Sequence, residues 1–202
     1  MEMNNTRRPR PGPDTNTRAD HTYSRMQTKK KTKHKEFRGW ILAILFAVVL
    51  ALSMRLFVFE FIRVEGPCME PTLYTDQRVF VDKISYHFTE PQRNEVVICF
   101  YPRMEGTYVK RIAAVAGDVV EIIDGKLYIN GELADDKYFK GTMNEDMPPF
   151  SVPEDYLFVM GDNRNNALDS RNPIIGPIPE DQILGKALFI IWPIDKWSII
   201  TH

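Results

Sequence analysis

Residues 39–54 (GWILAILFAVVLALSM) form sixteen consecutive positions without a charge, and they divide the chain into two unlike parts. Before them the sequence is polar and basic; after them apolar and polar positions alternate. At about 1.5 Å per residue the run alone covers roughly 24 Å. Carried past Arg55, whose long side chain can snorkel, it reaches about 32 Å at Phe59, enough for a hydrocarbon core near 30 Å. The expectation is a transmembrane anchor over residues 39–59. A cleavable leader fits less well, because the basic lead is long and no small-x-small site follows. A buried core helix is the remaining reading of the apolar run.

Past the anchor the period changes to two. Residues 78–84 alternate polar and apolar as a half-buried strand does, whereas 95–101 is denser and reads as a buried strand. Residues 109–115 and 118–123 are strand-like and parted by Gly117. Asp124-Gly125 and Asn130-Gly131 are hairpin signals. Residues 140–155 are polar and carry prolines, so they read as a loop; 156–160 and 187–192 read as closing strands. No 3.6-residue period persists outside the anchor. The predicted fold class is therefore mainly β, an antiparallel β-sheet domain over 60–202 after a single N-terminal transmembrane helix.

Charge changes the picture at one end. The formal net charge of −1 hides +7 over residues 1–38, leaving −8 for the rest. A basic tail of this kind could bind nucleic acid, but it ends at the apolar run, which makes it the cytoplasmic flank of a span. The expectations are a disordered cytoplasmic tail over 1–38, membrane lipid as a partner, no nucleic acid, and an extracytoplasmic β domain. The two cysteines, Cys68 and Cys99, fall where a disulfide is permitted. Cys99 sits in an apolar run and reads as core, so they are expected not to pair. Four scattered histidines offer no metal spacing, and no glycine-rich phosphate loop occurs, so neither a metal nor another cofactor is expected.

The candidate chemistry lies in residues 64–73, VEGPCMEPTL. Gly66-Pro67 forces a tight approach to Cys68, and Pro71 keeps Glu70 out of the α conformation. A small nucleophile is thereby expected on a turn with backbone N–H groups close by. Downstream stand Tyr108-Val109-Lys110-Arg111-Ile112 and residues 161–171, GDNRNNALDSR. A lysine on a strand is ordinarily a solvated side chain. It becomes a base only where burial favours its neutral form.

These segments, in this order, resemble the type I signal peptidases, membrane-bound proteases with a Ser/Lys dyad that release exported preproteins from their signal peptides. The resemblance covers roughly residue 40 to the end. It places Cys68 at the position of the nucleophilic serine and Lys110 at that of the general base. It implies packed sheets with the active site near the membrane, and an oxyanion site made by the N–H groups of Cys68 and Gly66. It further implies a pocket for small residues such as alanine before the scissile bond, with Met69 as a lining residue. Asp162, Asp169 and Arg171 read as a supporting charge cluster that braces the third segment by bidentate pairing. Arg111, on the other strand face from Lys110, reads as structural.

Two positions depart from the pattern. Cys68 replaces the serine, and Ala167 stands where a small hydroxyl residue would help orient the lysine amine; Asn166 or Ser170 could substitute for it. A thiol is a stronger acid than an ammonium, with reference values of about 8.5 and about 10.4, so a Cys/Lys pair favours thiolate and ammonium. The expected function is removal of signal peptides from exported preproteins through Cys68 and Lys110. The competing class is an inactive relative that serves as an accessory or chaperone in surface-protein or pilus assembly.

Overall fold

The structure is a computed structural model that describes residues 16–135, 137–139 and 141–200, with side chains from residue 37 onward. It divides into two compact units, Met1–Leu52 and Ser53–His202.

Helix α1 spans Asn16–Phe57. Its apolar part, Phe37–Phe57, has a mean hydropathy of 2.4 and is long and apolar enough to cross a membrane. Two expectations change here. Residues 16–38 are helical rather than disordered, while 1–15 lie outside the described residues. The stretch holds neither proline nor glycine, and extending an existing helix avoids the cost of a new nucleus. At the other end, Phe59 opens a strand instead of closing the anchor. Its ring stacks on Phe80, which stacks in turn on Phe189 at 4.6 Å, so cross-strand aromatic contact claims it for the sheet.

The second unit is built from antiparallel strands in two sheets. The large sheet contains β1 (Phe59–Arg63), β2 (Arg78–Asp82), β3 (Val96–Phe100) and β4 (Thr107–Ala114). The small sheet follows as β5 (Val119–Ile123), β6 (Lys126–Ile129), β7 (Glu132–Leu133) and β8 (Met147–Ser151). The chain then returns to the large sheet as β9 (Tyr156–Met160), β10 (Ile178–Pro179), β11 (Ile183–Trp192) and β12 (Ser198–Ile199). The large sheet has the order β1-β2-β11-β3-β4-β9-β10 with β12 on β11, and the small one β7-β6-β5-β8.

Asp124 and Gly125 both have positive φ, 50° and 68°, as the tight β5–β6 hairpin requires. Asn130 and Gly131 repeat this between β6 and β7. The expected loop over 140–155 contains β8, which pairs with β5 through Val120↔Phe150 and Ile122↔Met147. Pro148 and Pro149 hid it; they are tolerated because β8 is an edge strand with one neighbour.

Burial explains the denser apolar run. On β3, Val96 and Ile98 face a core with Val64, Met69, Leu73 and Val79, whereas Val97 and Cys99 face a second core with Tyr101, Ile112, Leu157 and Val159. A strand covered on both sides has no polar face to show. A third core, around Val120, Ile122, Phe158 and Met160, joins the small sheet to the large one.

Candidate active site

The turn that carries Cys68 is held by its own backbone and by the segment that follows β9. Glu70 N–H donates to the Pro67 carbonyl at 3.1 Å, and Leu73 N–H to that of Met69 at 2.9 Å. Met69 and Leu73, both fully buried, pin the turn from below. Met69 is therefore core and not the expected pocket lining; a side chain directed under a turn is taken by the apolar cluster it meets. Gly66, with φ of 78°, has open space around it, so its backbone and not crowding calls for glycine.

From the far side, Asn163 donates its N–H to the Cys68 carbonyl at 3.0 Å and its Nδ2 to that of Pro67 at 3.1 Å. Gly161 touches the same place: a Cβ there would lie 2.5 Å from the Cys68 carbonyl oxygen and 2.4 Å from the Ala167 Cβ.

Lys110 lies on β4 between Val109 and Arg111 and is 1% exposed. Its Nζ donates to Cys68 Sγ at 3.1 Å, which is its hydrogen bond among the described residues. Cys68 is half-buried, and its Sγ lies 3.9 Å from the Val109 carbonyl oxygen. Among the described residues nothing accepts from the N–H groups of Gly66 and Cys68. Cys99, opposite Tyr108 on β3, is free and fully buried. Burial pushes its thiol up to about 12, against the opposing pull of the Lys110 charge.

The supporting charges are divided differently from the expectation. Asp169 does pair with Arg171 bidentately, Nε to Oδ1 and Nη2 to Oδ2 both at 2.8 Å, and accepts from Gly161 N–H at 3.0 Å. Asp162 belongs to another group. It takes a bidentate pair from Arg111, both bonds at 2.8 Å, and a bond from the Thr72 hydroxyl at 2.5 Å. The reason is geometric: consecutive side chains alternate faces, so Lys110 meets Cys68 from one side while Arg111 braces the turn from the other.

Sequence reasoning missed three partners here. Thr72 stood inside the nucleophile motif and carried a signal. The ring of Tyr138, 3.5 Å from the Arg111 guanidinium, and the Tyr101 hydroxyl, which donates to the Leu168 carbonyl at 2.8 Å, had none. Ser170, a candidate stand-in for the missing hydroxyl, has its oxygen engaged by Val159 N–H at 3.0 Å. Beside the turn opens a cleft of about 820 Å³ lined by Glu70, Thr72, Tyr74, Tyr138, Asn163 and Ile200.

The family model described as signal peptidase, peptidase S26, matches residues 37–192. The chain belongs to the signal peptidase family. Signal peptidase I T of Bacillus subtilis (strain 168) is 37% identical over 190 residues, covering 89% of this chain and 97% of the relative. Signal peptidase I of Bacillus licheniformis is 37% identical over 180 residues, covering 84% and 96%. A crystal structure of a signal peptidase I from Enterococcus faecalis V583 matches with a TM-score of 0.42 at 30% identity, over 48% of this chain and 97% of that one.

Proposed function

We propose that this peptidase is anchored by α1 and removes signal peptides from exported preproteins, using Cys68 as nucleophile and Lys110 as its proton partner. The observation that carries the reading is the 3.1 Å contact between a buried amine and the sulfur on the nucleophile turn. Family membership supplies the substrate class.

With the proton on Lys110, the Cys68 thiolate attacks the scissile carbonyl carbon. The oxyanion so formed lies against the N–H groups of Cys68 and Gly66, which have no acceptor among the described residues. Collapse expels the leaving amine, which takes its proton from Lys110. The amine, now neutral, takes a proton from water, the hydroxide attacks the thioester, and Cys68 leaves as thiolate. Asp162, Asp169 and Arg171 act through position: the first fixes β4 to the turn, the other two fix the segment that holds Asn163 and Gly161.

The test is cleavage of one signal-peptide substrate by purified protein in detergent, with Cys68→Ala as the reference. Cleavage by the wild type and none by Cys68→Ala supports the dyad. Wild type at the level of Cys68→Ala overturns it and leaves the accessory role in surface assembly.

A further inference from the structure

A nucleophilic sulfur set against a buried amine has a chemistry besides peptide cleavage. Lys110 is 1% exposed and directed at Cys68 Sγ from 3.1 Å. Cys68 is half-buried and not sealed in the core. The second thiol is turned away: Cys99 is fully buried, with its Sγ 3.6 Å from the Tyr108 carbonyl oxygen. An oxidised Cys68 therefore has an amine, and not a thiol, as the nucleophile in contact with it.

We propose that Cys68 and Lys110 form a reversible sulfur–nitrogen cross-link when the protein meets a hydroperoxide. In the first step the thiolate attacks a peroxide oxygen. An S–O bond forms, the O–O bond breaks, sulfur loses two electrons, and the peroxide is reduced to water or an alcohol. The product is an uncharged sulfenic acid, and the hydroxide or alkoxide that departs takes its proton from the Lys110 ammonium in contact with the sulfur, which leaves a neutral amine. In the second step the amine lone pair attacks the sulfenyl sulfur. The S–N bond forms, the S–O bond breaks, and the hydroxyl leaves with an amine proton as water. No second oxidant is consumed. Two equivalents of an external thiol reverse the link, returning free thiol and free amine as the external thiol becomes a disulfide. The link silences both groups at once and keeps the sulfur from the irreversible higher acids.

The cross-link depends on the contact between the two side chains and not on peptide cleavage, so its readout is mass. Full-length protein in detergent is treated with one equivalent of hydrogen peroxide, digested without reductant, and mapped. The expected product joins the peptide containing Cys68 to that containing Lys110 and is lighter than their sum by two hydrogens. Dithiothreitol abolishes it and restores alkylation of Cys68. In Lys110→Met the sulfenic acid accumulates instead and is trapped by dimedone. A wild type without linked peptides, a link that retains the oxygen, or a Cys68–Cys99 disulfide overturns the proposal. None of these outcomes touches the peptidase reading, which stands or falls on the cleavage assay.

Discussion

Cys68 and Ala167 are the two positions at which the chain departs from the pattern it resembles, and their effects are expected to be coupled. A serine hydroxyl is a much weaker acid than a thiol and depends on an accurately placed neutral lysine. A thiol, the stronger acid, depends on that placement less. Cys68→Ser alone should therefore gain little cleavage, because a base misplaced by about 1 Å can cost about a hundredfold. Cys68→Ser with Ala167→Ser should gain far more than the two single changes multiplied, which a double-mutant cycle on one substrate measures. Simple multiplication of the singles would contradict the coupling. The two thiols should also separate cleanly under an alkylating agent. Cys68 should label and Cys99 should not, at any pH that leaves the fold intact, because burial holds the Cys99 thiol up at about 12. Labelling of Cys68 should slow in Lys110→Met, which lacks the amine in contact with the sulfur; peptide mapping over a pH series reads both.

At the level of elements, β4 carries the site because its two faces do different work. Removing Asp162 takes the carboxylate away from the buried Arg111 guanidinium, a change that costs about 3–5 kcal/mol. Asp162→Ala should accordingly lower the urea midpoint sharply. Gly161→Ala makes a more local claim. The new methyl would push on the Cys68 carbonyl and on Ala167, so cleavage should fall further than stability does; comparing kcat/KM with the urea midpoint checks it. The strands and tight hairpins were legible because their signals are local: alternation, two Asx-Gly pairs, and a run too apolar for a one-sided sheet. What was not legible came from pairing. β8 hides behind two prolines, and Met69 lies in the core because of what sits beneath the turn. The partner of Asp162 is chosen by strand alternation across a distance in sequence that no motif spans. Cys68 and Lys110 were singled out from their motifs, whereas the contact between them is a product of the fold.

The whole molecule adds an acid limit and an orientation. Asp82, Glu95 and Asp118 are each buried enough to raise a carboxyl, yet hydrogen bonds outweigh this and hold all three below the ordinary carboxylate range. Glu95 receives them from Lys186, the Gln92 N–H and the Tyr86 hydroxyl. A folded value below the unfolded one stabilises at pH above the unfolded value, and that stability is lost as pH falls through the folded value. The urea midpoint should thus decline below the ordinary glutamate range, and the deficit of Glu95→Gln relative to wild type should shrink over the same interval. Orientation follows from the basic flank: residues 1–38 should face the cytoplasm. Protease added to intact spheroplasts should digest the β unit and spare the tail; loss of the tail alone would invert the assignment.

β4 and β9 lie side by side in the large sheet, although the whole small sheet is threaded between them. Everything from Val115 to Asp155 is thus a detour that departs from a seam and comes back to it. Lengthening such a detour adds little closure entropy and leaves the register of the seam alone. It is the place where descendants of this chain are free to graft, trim or exchange material. One thread limits that freedom, since the detour also returns the Tyr138 ring to the Arg111 guanidinium. A graft that omits the ring would inherit the sheet, but without the face that lies over the buried Arg111 guanidinium.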